Sequence, residues 1–188
     1  HVHTQAQHLI SRDCLERAIE LDPDYVDALA ELAYIYVEEY RHDWNALPDA
    51  VARGMAMAER ALVLDPTHPA AHWALALAHF SEGRLEPFYV EAERAIALNP
   101  NDSAVLLFAA HFMAPTGKWQ RGLALMRKAQ SLNPAGPAWS HFIFALDQYR
   151  RRDFAGARDR MNEVTAGSPM LIAMFNTAFQ GQLGSAGD

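Results

Sequence analysis

The sequence predicts an all-α chain, a solenoid of repeated helical hairpins with about ten helices. Three observations carry this. An Asx-Pro or Ser-Pro step recurs at Pro23, Pro66, Pro100, Pro134 and Pro169, spaced 43, 34, 34 and 35 residues apart. A small residue sits at a fixed offset before four of these prolines, and large apolar residues fall at helical spacing between them.

The repeated block is Leu15-Glu16-Arg17-Ala18-Ile19-Glu20-Leu21-Asp22-Pro23, which nearly superimposes on Ala58 to Pro66 and Ala92 to Pro100. A fourth copy runs from Met126 to Pro134, and a degenerate fifth ends at Ser168-Pro169. Each block reads as a helix C-terminus followed by a turn. The residue before proline is steered out of the helical region, while proline itself can open the next helix. Ala18, Ala61, Ala95 and Ala129 precede their prolines by five residues, with Val164 in the degenerate unit. Ala33, Ala76 and Ala110 follow theirs by ten, a second row of close contact that Phe144 breaks. Gly83 and Gly117 fit the tight turn inside a hairpin.

These signals place helices at approximately 4–22, 25–42, 46–64, 69–83, 85–98, 103–114, 118–132, 137–151, 154–166 and 169–182. The first interval is nine residues longer than its neighbours, and the excess lies within 40–49. Asn45 is placed there to cap the lengthened second helix of that hairpin, with Pro48 in its first turn. The prolines recur regularly rather than clustering in a linker, so residues 1–188 read as one repeat domain, about four full repeats with partial terminal units.

Composition narrows the function. With 51% hydrophobic residues the chain can bury a continuous core. A formal charge of −7 argues against a surface built to grip nucleic acid or an anionic membrane. Residues 1–66 carry 5 basic and 13 acidic side chains, residues 67–188 carry 11 and 10, so the acidity is concentrated near the N-terminus. The lone Cys14 is expected to be a buried or half-buried thiol rather than a nucleophile, since no base can be assigned to it. No apolar run approaches the roughly 18 residues that span a bilayer and no leader pattern opens the chain, so a cytoplasmic setting is expected. The chain starts at His1 in mid-pattern, as a piece of something longer would.

A period of 34 with small residues at two offsets and a closing proline resembles the tetratricopeptide repeat, over about residues 11–182. The aromatic that the family places thirteen residues after each proline is Tyr36 in the first unit but His79, Met113 and Asp147 later. The extended unit with Trp44, and Pro137-Ala138-Trp139 further on, are also similar to the C-terminal repeat regions that follow class III nucleotide cyclase or winged-helix DNA-binding domains in bacterial regulators. The resemblance implies a right-handed superhelical solenoid whose concave wall comes from the first helix of each hairpin, and a non-catalytic protein-interaction module, an adaptor, scaffold or sensory part of a larger regulator.

On that resemblance the groove-facing residues include Tyr34, Trp73, Leu77, Phe80, Leu107, His111, His141, Gln148, Tyr149 and Asn176. Relatives that capture chaperone C-termini use Lys, Asn and Arg there, because a carboxylate needs charge-assisted donors. This wall is apolar and aromatic instead, so a protein or peptide partner presenting apolar or aromatic anchors is expected. The opposing reading puts Trp73 and Phe80 in the inter-repeat core.

His68 and His72 have zinc-like spacing, but no third or fourth ligand follows in register, so no metal or cofactor is expected. Arg150, Arg151, Arg152, Arg158 and Arg160 read as a solvated turn paired with Asp153, Asp159 and Glu163. Met170, Leu171, Met174, Phe175 and Phe179 make the last helix apolar all round, which suggests self-association as a homodimer or a missing neighbour. No nucleophile-base order, phosphate loop or dinucleotide fingerprint appears, so enzymatic activity is not expected. The alternatives to peptide binding are an oligomerisation module for attached domains and a small-ligand receptor.

Overall fold

A computed structural model of the chain describes residues 4–45, 47–162, 164, 175, 177–178 and 181–182. Among these described residues there are nine α-helices and no strand: α1 (Gln5–Leu21), α2 (Val26–His42), α3 (Ala50–Leu64), α4 (Pro69–Ser81), α5 (Leu85–Leu98), α6 (Ser103–Met113), α7 (Trp119–Leu132), α8 (Phe142–Arg150) and α9 (Phe154–Met161). They fall into two compact units, His1–Pro100 and Asn101–Asp188.

The helix ends follow from the punctuation. Thr4 opens α1 with a capping box: its hydroxyl accepts the Gln7 N–H at 3.3 Å, and the Gln7 side chain accepts the Thr4 N–H at 3.0 Å. At the first Asp-Pro step the Asp22 N–H returns to the Ala18 carbonyl at 2.9 Å, and the Asp22 carboxylate accepts the Asp24 N–H at 3.2 Å. Asp65 repeats the device, accepting the Thr67 N–H at 2.9 Å, and these donors hold its carboxyl below the usual range. Pro69 then sits in the first turn of α4. Gly83 and Gly117 take φ of 72° and 109°, the left-handed turn expected of them. The equivalent place in the next hairpin is Arg152, at φ 66° without glycine's freedom.

In the first unit α2 pairs with α3 and α4 with α5, while α4 also lies across α2 and α3, and α1 packs on α2. The alanine rows are where the axes meet. Ala33, Ala58 and Ala74, one from each of three helices, share a core cluster with Leu75. Leu29, Ala30, Ala61 and Ala71 form the next. Gly54 marks the closest approach: a Cβ built there would stand 2.7 Å from Val37 Cγ2 and 2.8 Å from the Ala33 carbonyl oxygen. In the second unit α6 pairs with α7 and α8 with α9. Ala145, Ala157, Met161 and Val164 make its core, with Trp139, Phe142, Tyr149 and Phe175 packed around them.

Four expectations are corrected. The third helix begins at Ala50, not 46, because Asp43, Asn45 and Asp49 each adopt positive φ (54°, 50° and 57°) and break the helix. Asn45 does not cap it; its side chain accepts from the Gln5 amide at 2.9 Å and donates to the Gln5 carbonyl at 3.2 Å, so the insertion is tied to α1. The eighth helix opens with a 3-10 turn, Ala138–His141, before α8. Cys14 is exposed, since only one side of α1 is covered. The expected tenth helix falls largely outside the described residues.

The insertion is also pinned by charge. Arg12 Nη1 lies 2.6 Å from Glu39 Oε2, with the two side chains 10% and 0% exposed, and it also donates to the Asn45 carbonyl at 3.0 Å. Burial pushes the Glu39 carboxyl up while Arg12 opposes the shift. Trp44 stacks on His42 with centroids 4.6 Å apart and meets His8 edge-on at 5.3 Å.

Two outcomes are expected in urea unfolding followed by circular dichroism. Gly54→Ala should destabilise the chain by about 1–3 kcal/mol, because overlap with a backbone carbonyl outweighs the roughly 1 kcal/mol of helix propensity gained. Arg12→Leu should cost about 3–5 kcal/mol by stranding the Glu39 carboxylate, and adding Glu39→Leu should recover most of the loss.

Candidate functional site

The described residues among those expected to face a groove lie on α2 and α4 in the first unit, and on α6, α8 and the 3-10 turn before α8 in the second. In the first unit Trp73 is 6% and Leu77 1% exposed, whereas Tyr34 and Phe80 are half-buried. Phe80 meets Phe88 edge-on at 5.3 Å, so one side of its ring serves the α4–α5 hairpin. The Tyr34 hydroxyl is pushed well above its ordinary range, first by burial and then by the neighbouring Glu38 carboxylate. Glu38 is itself engaged by Arg41 and, at 3.3 Å, by His42 Nε2. Tyr36, on the other side of α2, donates to Glu16 at 2.8 Å and is pushed up to about 12, by burial and then by that bond.

In the second unit Leu107 is 8% exposed and His111, His141, Gln148 and Tyr149 are half-buried. His111 is the hub of an aromatic group: its ring meets Trp139 edge-on at 5.3 Å and lies 6.5 Å from Phe142. Phe108 approaches the same Trp139 at 5.8 Å, and Phe142 meets Phe175 edge-on at 5.2 Å. Tyr149 meets Phe154 edge-on at 5.3 Å. The Gln148 amide donates to Asp153 at 3.1 Å, while its buried carbonyl oxygen finds no partner among the described residues. Asn176, and Met170, Leu171, Met174 and Phe179 of the expected self-association patch, lie outside the described residues. Phe175 is described, half-buried against Phe142.

The histidine pair is spent on structure. His68 caps α4 by accepting the Ala71 N–H at 3.2 Å and contacts Asp27 of α2 at 2.9 Å. His72 contacts Glu91 of α5 at 2.6 Å and the Pro66 carbonyl at 3.1 Å. Among the described residues no group of three or more His, Cys, Asp or Glu side chains converges on a metal position. The arginine cluster is paired differently from expectation. Asp147, at a packing position of the repeat, takes Arg150 at 2.7 Å and Arg151 at 2.8 Å, and Asp153 caps α9 instead. Arg158 pairs with Asp159 at 2.8 Å, as expected, and Glu163 lies outside the described residues.

Sequence reasoning missed the Phe108–His111–Trp139–Phe142 group and the Arg12–Glu39 pair. For the first, a signal existed in the spacing of Phe108 and His111 on one helical face. For the second, the partners are 27 residues apart and no local pattern marks them.

A second feature of the first unit is an open cleft of about 390 Å³ between α1 and α2, lined by Ser11, Cys14, Leu15, Glu31, Tyr34 and Ile35 among others. Glu31 stands at its mouth, its carboxyl raised by partial desolvation and by Asp27, with His68 opposing. The folded state therefore takes up a proton more readily than the unfolded one. That contribution to stability is full below the ordinary value of 4.5 and is lost as pH rises through the folded value. Glu31→Gln should accordingly raise the urea midpoint at neutral pH, and the advantage should vanish in titrations taken below pH 4.5.

No family model matches the chain. Residues of the chain are 35% identical over 86 positions to "Putative adenylate cyclase 3" of Rhizobium meliloti (strain 1021), a match covering 45% of this chain and 14% of that protein. The chain thus spans a small fraction of that relative. Among solved structures, YrrB, described as a TPR protein with an unusual peptide-binding site, superimposes with a TM-score of 0.61 at 15% identity over 90% of this chain and 83% of its own. The human IFIT1 dimer with m7Gppp-AAAA does so with a TM-score of 0.72 at 19% identity, over 97% of this chain and 43% of its own. Among the described residues no helix is long and apolar enough to cross a membrane. The alanine rows, the Asx-Pro turns and these superpositions agree that the chain has the tetratricopeptide-repeat fold.

Proposed function

We propose that this chain is a non-catalytic protein-interaction module that takes an apolar or aromatic peptide or helix on the first-helix faces of its units. The observation that carries the reading is the aromatic group of the second unit. His111, Trp139, Phe142 and Tyr149 are half-buried at the start and along the length of consecutive first helices, with ring edges engaged and surface still exposed. Amphipathic rings held by packing present contact area at small entropic cost, which is what an anchor site requires. Histidine side chains on the same face would supply polar contacts that orient a bound segment.

YrrB's description as having a peptide-binding site supports a peptide ligand. IFIT1 holds a capped RNA, but an anionic ligand is disfavoured here by the net charge of −7 and by the pairing of Arg150, Arg151 and Arg158 with carboxylates. The partial similarity to a cyclase supports a second reading, in which the module serves a larger regulatory protein by bringing attached catalytic or DNA-binding domains together. In either case the setting is a cytoplasmic regulator.

The test is an array of helical peptides probed with the chain and with a Tyr34→Ala, His111→Ala variant whose circular dichroism is unchanged. Peptides bearing leucine or aromatic anchors should be retained, and the variant should bind them about tenfold or more weakly, a loss of at least about 1.4 kcal/mol. Equal retention of anchor-free peptides, or undiminished binding by the variant, would count against the reading. Trp73 is unsuited to this test because truncating so buried a ring costs about 3–5 kcal/mol of fold.

A further inference from the structure

Arg127 breaks a pattern. Seven residues before their prolines, α1, α3 and α5 carry Glu16, Glu59 and Glu93, and α7 carries Arg127 instead. Phe144 breaks a second one. Ten residues after their prolines, α2, α4 and α6 carry Ala33, Ala76 and Ala110, each 0% exposed, whereas Phe144 of α8 is half-buried. An alanine lets the neighbouring helices close over it, but a phenylalanine in its place keeps part of its surface within reach of solvent. The two exceptions meet. The Arg127 guanidinium lies over the Phe144 ring at 5.8 Å from its centroid, and that of Arg160, on α9, at 5.9 Å. Three helices of the second unit thus hold two cations no farther apart than those distances together, about 12 Å. Arg127 and its neighbour Lys128 are exposed, and among the described residues neither sits in an ion pair.

We infer that the Arg127–Phe144–Arg160 face is a binding site for an acidic polypeptide segment. A guanidinium lying over a ring spends its face there and keeps its N–H edge for a carboxylate. It can take that carboxylate with two parallel hydrogen bonds. Two carboxylates one helical turn or two extended residues apart stand about 5–7 Å from each other, so one short segment can serve both arginines. Charge directs such a segment to this unit. Residues 101–188 carry 9 basic and 6 acidic side chains, whereas residues 1–100 carry 7 and 17. Asp147 and Asp159 already neutralise Arg150, Arg151 and Arg158, which leaves Arg127 and Lys128 within the cationic excess. A nucleic-acid strand fits less well, because the ring on which a base would stack already carries guanidinium groups. The site shares no residue with the aromatic first-helix face proposed above, so the two readings can fail independently.

The probe is a dye-labelled peptide with Glu-Leu-Glu-Leu-Glu at its centre, titrated against the whole chain by fluorescence anisotropy beside a lysine-bearing twin. The acidic peptide should bind and the twin should not. Raising the salt from about 0.01 M to about 1 M should abolish binding as the screening length shrinks. Arg127→Glu restores the residue type of α1, α3 and α5, and should weaken the acidic peptide by about tenfold or more with unchanged circular dichroism. Phe144→Ala, which restores the alanine of the row, should weaken it as well. Arg94→Glu makes the same charge change at an exposed position of α5 and should leave binding within about twofold. The Tyr34→Ala, His111→Ala variant should bind the acidic peptide as the unaltered chain does.

The inference is overturned if the acidic peptide binds no better than its twin. It is overturned equally if Arg94→Glu weakens binding as much as Arg127→Glu, since net charge rather than this face would then be responsible. Tighter binding of an oligouridylate than of the peptide would assign the face to nucleic acid, and a loss confined to the Tyr34→Ala, His111→Ala variant would move the peptide to the first-helix face. Both results also overturn the acidic-segment site.

Discussion

Close approach between helix axes is the constraint on which the rest of this structure depends. Two α-helices can pack tightly only where side chains at the crossing are small, and the interior then fills to crystal-like density. Here the crossings are made by Ala33, Ala58 and Ala74 in the first unit. In the second, Gly122 comes so near α6 that a Cβ would lie 2.7 Å from Ala114 Cβ. The larger apolar residues take their places relative to those contacts, and so do the half-buried rings.

Polar groups do secondary work, joining helices that the alanines have already brought together. His68 reaches from α4 to Asp27 on α2, and His72 from α4 to Glu91 on α5. The His72–Glu91 pair is largely buried, whereas the His68–Asp27 pair reaches solvent on its Asp27 side. The Arg12–Glu39 pair differs in being nearly dry, and it fastens α1 at a crossing whose small-residue row is left open. In the second unit Asp147 stands where a packing aromatic is expected and gathers two guanidinium groups, while Arg150 lies 4.9 Å over the Trp119 ring.

Most of the fold was legible in the sequence because its determinants are local and repeated. A proline after Asp or Asn, an alanine five residues earlier and a glycine in the hairpin turn each act within a few residues, so α2, α5 and α7 lie within a residue or so of the expected spans. What was not legible is long-range. Nothing near Asn45 announces that its amide belongs to Gln5, forty positions away. The exposure of Cys14 depends on what covers the far side of α1. The candidate site was legible only as a face. Helical spacing puts Trp73 and Leu77 on the same side as Tyr34 and Phe80, yet whether a neighbour covers them is decided by packing that periodicity does not encode.

The unit that carries the insertion within 40–49 is nine residues longer than the next, and the units after it return to spacings of 34, 34 and 35 residues. Each hairpin sets its own register from its own small-residue contacts, so a length change in one connection is absorbed where it occurs. Descent can therefore edit such a chain in whole cassettes, adding, losing or elongating a hairpin while its neighbours keep their internal geometry. New surface chemistry can appear at one connection without a compensating change elsewhere.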